Sequence, residues 1–211
     1  MATINQLVSQ LANSLKQPNS VPVRKALRLE IIQTRNMLIR QSFEHHNYVD
    51  KGLQQKFQLE IEVFDGKIIT LNKVPKPVRL TNNNPFHSIT YIKDNNIFNI
   101  PYIKEDNNKF YKNLPGMINI PSYDYINGYI YLSNININDI STIFVESVFE
   151  IPQIFELDEE VSENNIKLIN DDDEFLLPED MISNLKKIIL ETFNPDVIRD
   201  TNEPSATTLV K

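Results

Sequence analysis

Apolar residues recur at helical spacing near both ends of the chain and alternate with polar ones through its middle. Ile4, Leu7, Val8, Leu11 and Leu15 mark a first amphipathic helix. Thr3 is its N-cap, and Gln6 three residues on completes a capping-box pattern. This helix is expected to end by Gln17, because Pro18 disfavours helical geometry in the residue before it. Ser20 can cap a second helix with Pro22 in its first turn, running to about Asn47. Val23, Leu27, Ile31, Thr34 and Leu38 form its apolar stripe, and the two helices read as an αα-hairpin.

From Phe57 the period becomes two. Phe57, Leu59, Ile61 and Val63 alternate with Gln58, Glu60 and Glu62, as in a strand with one wet face. Asp65-Gly66 then leads into Lys67 to Leu71, a hairpin signal because type I′ turns need two residues tolerant of positive φ. Val74-Pro75-Lys76-Pro77-Val78 is expected to break the sheet. Strands are predicted from His87 to Lys93 and from Ile97 to Ile103, with a turn at Asn95-Asn96 and an edge marked by Pro101. Residues 105–116 read as a surface loop. The clearest hairpin is Tyr123 to Ile126, Asn127-Gly128, Tyr129 to Leu132; Ile140 to Phe149 is a further strand, stopped by Pro152. Residues 157–174 read as an acidic loop with at most a short strand at Ile166–Leu168. Pro178-Glu179-Asp180 opens a third helix with the stripe Met181, Ile182, Leu185, Ile188 and Ile189, closed by Pro195.

The resulting plan is α+β. It comprises an N-terminal αα-hairpin (1–50), a central antiparallel β-sheet or sandwich of hairpins (57–155), an acidic loop and C-terminal helix packed on the others (156–199), and a flexible tail or docking arm (200–211). At 41% hydrophobic over 211 residues, the chain can build a core. With no cysteine, disulfides and thiolate metal sites are excluded. No apolar run reaches the roughly 18 residues of a membrane span, and the first residues lack the pattern of a signal peptide.

Charge changes the picture more. The net charge is −7, which argues against the whole chain being a nucleic-acid binder. Residues 1–60 carry 8 Lys and Arg against 4 Asp and Glu, residues 61–140 carry 8 against 7, and residues 141–211 carry 5 against 17. A basic head and an acidic tail suit partners of opposite charge, or head-to-tail contact between copies. The candidate contact residues are therefore Arg24, Lys25, Arg28, Arg35 and Arg40 on one side of the second helix, for a partner protein or a DNA channel. Asp171, Asp172, Asp173 and Glu174 are candidates for contacts between subunits.

Catalytic patterns are missing from the sequence. It has no Walker loop, no G-x-G-x-x-G and no Gly-x-Ser-x-Gly elbow. His45 and His46 are adjacent on a helix, about 100° apart, and cannot grip one ion as i, i+4 histidines do. The acid run lacks the spacing and glycine of a calcium loop. No cofactor is indicated. Tyr123, Tyr125, Tyr129 and Tyr131 can stack bases, but cross-strand pairing within one hairpin is the simpler use.

Three phrases carry a resemblance: Tyr125-Ile-Asn-Gly-Tyr-Ile-Tyr-Leu132, Ile143-Phe-Val-Glu-Ser-Val-Phe-Glu-Ile-Pro152, and Leu177-Pro-Glu-Asp-Met-Ile182 opening the last helix. With the order of elements around them, they resemble the ring (head-to-tail adaptor) proteins in the neck of crAss-like, short-tailed bacteriophages, over about residues 120–195. The quarter of the chain that is Asn or Ile agrees with an AT-rich phage genome. The resemblance implies a structural virion protein made in the bacterial host cytoplasm. It implies a homo-oligomeric ring, commonly of twelve copies, that meets the portal protein and other neck or tail proteins. DNA would pass through its channel without sequence-specific binding, and no membrane is involved. The matching phrases are structural, so no catalytic residue is carried over. Another virion role (tail or capsid-decorating) and a nucleic-acid-binding module using the Arg24–Arg40 face remain as alternatives, with an enzyme last.

Overall fold

The computed structural model describes residues 2–80, 84–104, 107, 120–156, 165–168 and 171–193. The expected loop at 105–116 falls almost wholly outside these residues, and Pro195 and the tail at 200–211 fall entirely outside. The fold is α+β, with an N-terminal helix pair, a seven-stranded antiparallel sheet that curls, and a C-terminal helix. The chain divides into two compact units. One joins the residues up to Leu38 to those from Asp171 onward, and the other is Ile39–Asn170, so the division falls inside the second helix.

The first unit is helical. In α1 (Ile4–Ser14) the capping box forms as expected, Gln6 N–H donating to Thr3 Oγ1 at 3.2 Å and Thr3 N–H to Gln6 Oε1 at 3.1 Å. Its end is a Schellman motif: Gln17 N–H donates to the Ala12 carbonyl and Lys16 N–H to that of Asn13. Lys16 occupies the left-handed position, at φ 57°, that glycine usually takes. In α2 (Val21–His46), Arg24 N–H donates to the Ser20 carbonyl, which makes Ser20 the capping position. The helix stops at Asn47, φ 52°, a residue type that tolerates this geometry. α3 (Glu179–Thr192) places Glu179 and Asp180 in its first turn and packs on α1. Leu7 and Leu11 of α1, Leu27 and Ile31 of α2, and Leu185 and Ile189 of α3 are buried, with Phe175 and Leu177 from the segment before α3.

The second unit is built on β1 (Gln55–Phe64), β2 (Lys67–Thr70), β3 (Ser88–Lys93), β4 (Asn96–Asn99), β5 (Ser122–Ile126), β6 (Tyr129–Ser133) and β7 (Thr142–Ser147), in the order β4-β3-β7-β1-β2-β6-β5. Among the described residues a second sheet has two strands, β8 (Gln153–Glu156) and β9 (Asn165–Leu168). β9 lies where a short strand was expected, and β8 was not foreseen. Register puts apolar residues opposite each other on one face: Phe57 with Val145, Leu59 with Ile143, Tyr123 with Leu132, Ile89 with Val145. The core on that face is completed by Phe86 and Phe149, with Phe149 4.7 Å from the Phe57 ring centre.

Three two-residue hairpins fix this register. Asp65-Gly66, Asp94-Asn95 and Asn127-Gly128 all have positive φ at both central positions, as a type I′ turn requires. The middle turn lies one residue earlier than the expected Asn95-Asn96. The shift sets Ile92 opposite Ile97 and keeps Tyr91 opposite Phe98, whose rings stack at 5.2 Å. A one-residue slip would turn every β4 side chain to the wrong face.

The proline stretch after β2 ends that strand, yet stays attached to the sheet. Val78 N–H donates to the Val148 carbonyl and Glu150 N–H to that of Lys76. Only residues 76 and 78 face the partner strand, so Pro75 and Pro77 sit where no N–H is needed. Past β4, the chain reaches the other end of the strand order. Tyr123 N–H on β5 donates to the Pro101 carbonyl at 3.0 Å, and Ile103 N–H donates to the Tyr123 carbonyl at 2.9 Å. The curled sheet is thereby tied end to end.

Two measurements check these assignments. Gly128 has φ +89°, so Gly128→Val is expected to lower stability by about 1–2 kcal/mol, whereas Lys16→Gly relieves a left-handed residue and raises it by up to about 1 kcal/mol; urea denaturation reads both. Burial raises the Tyr123 phenol above its ordinary value of 10.0, partly offset by a hydrogen bond with the Phe86 backbone. The unfolded chain then loses that proton first, so stability present below pH ~10 falls as the pH rises further. Tyr123→Phe is expected to flatten that alkaline loss in pH-dependent denaturation.

Candidate functional site

The basic candidates all lie on α2, but the structure does not bring them together as one free face. Arg24 closes the α1–α2 connection, its guanidinium donating to the Pro18 carbonyl at 3.3 Å and to Ser9 Oγ at 3.2 Å. Arg28 pairs with Asp171 at 2.6 Å, its side chain still 53% exposed. Lys25 is exposed. Arg40 belongs to the other unit, where Glu150 takes it at 3.9 Å and Lys76 at 3.0 Å.

Arg35 is the correction. It was expected on the outward basic stripe and is instead fully buried. Its Nε donates to the Leu176 carbonyl at 2.9 Å, one terminal nitrogen donates to Asn36 Oδ1 at 3.1 Å, and the guanidinium lies 6.0 Å from the Phe175 ring centre. Burial lowers its pKa to about 10, so it stays charged near neutrality. Arg28 and Arg35 are seven residues apart and lie on nearly the same side of the helix. They differ in what covers them. The pair with Asp171 leaves Arg28 half-exposed, whereas the Leu176 carbonyl and the Phe175 ring meet a buried Arg35. The signal available in the sequence was the apolar run Phe175-Leu176-Leu177 directly after the acids, which demands a buried partner.

The acidic candidates are also engaged within the chain. Asn5 N–H, one of the N–H groups that α1 cannot satisfy itself, donates to the Asp171 carbonyl at 3.0 Å. Asn5 Nδ2 donates to Asp172 Oδ1 at 2.7 Å. Glu174 forms an isolated antiparallel bridge with Thr3, and Phe175 N–H donates to the Ala2 carbonyl. α1 has no acidic residue in its own first turn. The turn at 171–174 brings carboxylates to that positive end of the helix, where each is worth about 0.3–1 kcal/mol.

Strand alternation divides the four tyrosines. Tyr123 and Tyr125 pack with Phe86, at 6.1 and 5.0 Å. Tyr129 and Tyr131 show the other face, with Lys73 and Lys67 amines 5.9 and 5.8 Å from their ring centres. His45 and His46 are exposed, with ring centres 6.4 Å apart. Among the described residues, no three His, Asp or Glu side chains gather into a group able to hold a metal ion.

These are packed scaffolds and charge pairs, and a sequence profile says which family builds them. A family described as phage tail ring protein 2 matches residues 4–206. The chain belongs to that family. This ring protein of crAss-like phages has a structural role in the virion tail and is a part of an oligomeric assembly. No curated protein matches the chain. Among the described residues, no helix of the ring protein is long and apolar enough to cross a membrane.

Arg35→Ala is expected to cost about 2–4 kcal/mol in chemical denaturation, because it opens a cavity and leaves the Leu176 carbonyl without its donor. Arg28→Ala costs at most about 1 kcal/mol, and that loss shrinks with added salt, as a half-exposed pair should. Equal, salt-insensitive losses at the two positions would contradict the difference in burial.

Proposed function

We propose that this protein forms a closed ring in the phage neck, connecting the portal to the tail and extending the channel through which DNA passes. The observation that carries the reading is the family match over residues 4–206, nearly the whole chain. The role is architectural: copies of the chain, twelve in the closed ring, meet portal protein on one side and tail proteins on the other, in virions assembled within the bacterial host. No covalent step, cofactor or metal is assigned to it.

Electrostatics supports a channel that lets DNA slide. The chain is acidic overall, at −7. Arg24, Arg28 and Arg35 have partners inside their own chain. A bore with weak or mixed charge releases few counterions on meeting DNA and does not hold it. For the same reason a nucleic-acid-binding module draws less support, and a capsid-decorating role does not fit a tail-ring family.

The purified protein, mixed with portal and tail proteins, is expected to give a species of one defined mass in mass photometry, and images of tagged virions should place it between head and tail. Protein that stays monomeric with both partners present, together with virions that assemble and retain DNA without it, would overturn the reading.

A further inference from the structure

α2 buries one side and still carries apolar residues on the other. Leu27, Ile31, Arg35 and Ile39 form a buried ridge at i, i+4 spacing. The ridge on the opposite side is Val21, Lys25, Leu29, Gln33 and Met37, and all five are exposed. Leu29, at its centre, is 59% exposed. A helix that only lies over a core is polar on its outer side, and one with apolar residues on both sides is covered on both.

A second exposed apolar site is the end of the β1–β2 hairpin. β7 pairs with β1 only as far as Glu60, so Ile61 to Phe64 run past it. Phe64 is 65% exposed and Val63 55%. Phe64 lies opposite Lys67 on the same face of the hairpin, and Glu62 precedes them along β1.

Charge matches these two surfaces in order. Beside the α2 ridge, Arg28 is taken by Asp171, and Arg40, a turn past Met37, by Glu150. That leaves Lys25 within the ridge and Glu30 on its other flank. The hairpin end carries Glu60 and Glu62 on β1, Asp65 in the turn and Lys67 on β2, with Asp139 in the connection leading to β7. At the next turn, Lys93 and Asp94 offset each other. The helix thus reads cation, apolar centre, anion, and the hairpin reads anions, apolar centre, cation.

We infer that the β1–β2 hairpin end of one copy lies across the outer ridge of α2 in the next, with Phe64 against Leu29. The occupant is a second copy of this chain. Glu62 then faces Lys25, Lys67 faces Glu30, and the aromatic ring anchors the centre. Hairpin and helix are different surfaces, so each copy gives one and receives one. Such a heterologous contact closes into a ring when the rotation between copies allows. The inference rests on the ring reading above and names the contact that builds the ring.

The chain has no cysteine, so engineered thiols report the contact without background. Glu30→Cys and Lys67→Cys proteins are mixed under conditions where the wild-type protein forms rings, then treated with a short bismaleimide. The mixture is expected to give covalently linked pairs on a denaturing gel, and neither variant alone should. Separately, Leu29→Asp and Phe64→Asp are each expected to raise the concentration of half-assembly by about tenfold or more in mass photometry. Both positions are exposed, so circular dichroism should stay unchanged; if either variant unfolds, the cross-linking result decides. A mixture without linked pairs, or rings from both Asp variants at wild-type concentrations, would overturn the contact and leave the ring reading standing. A wild-type protein that forms no ring even with portal and tail proteins present would overturn both.

Discussion

The backbone of Tyr123 is the hinge pin of the β unit. A sheet with one apolar face has to bring that face together around a core, and a curled sheet frays from its two ends first. Here the chain leaving β4 turns back to β5, and two hydrogen bonds on one residue join the ends. Tyr123 also sends its side chain into the core, beside Phe86. The same residue thus holds the backbone closed and fills the space that closure creates. Pro101, which has no N–H to donate, contributes only its carbonyl to the tie.

The charged residues follow a similar economy in the helical unit. The basic and acidic ends of the sequence meet within the chain. Arg28 reaches Asp171, and the acidic turn satisfies the start of α1. Because these pairs are partly exposed they add little stability each; their effect is to fix where the segment before α3 lies. Once it is fixed there, Phe175 and Leu177 enter the core, and the Leu176 carbonyl meets Arg35, fully buried among the described residues. A buried guanidinium is tolerated only with such acceptors around it.

The fold was legible wherever local rules decide it. The Thr3–Gln6 box, the Asp-Gly and Asn-Gly turns and the two-residue alternation of β1 each gave the observed element. What the sequence hid depends on distant contacts. Arg35 has the same helical spacing as Arg28, and only the segment from Phe175, 140 residues away, distinguishes them. The turn at Asp94-Asn95 was read one position late because three consecutive residues, Asp94 to Asn96, all tolerate turn geometry; the pairing of Tyr91 with Phe98 chooses among them. β8 was missed because its four residues follow Pro152 and carry no alternation strong enough to stand out. The candidate charged residues could be named from composition, while their partners could not.

The helical unit is assembled from the two ends of the chain, and the β unit between them is continuous. During synthesis the β unit can therefore complete itself first. α1 waits, with its first N–H groups unsatisfied and Arg35 without its acceptor, until the ribosome has released the residues from Asp171 onward. A product cut short before that point would carry a finished sheet and an unfinished head.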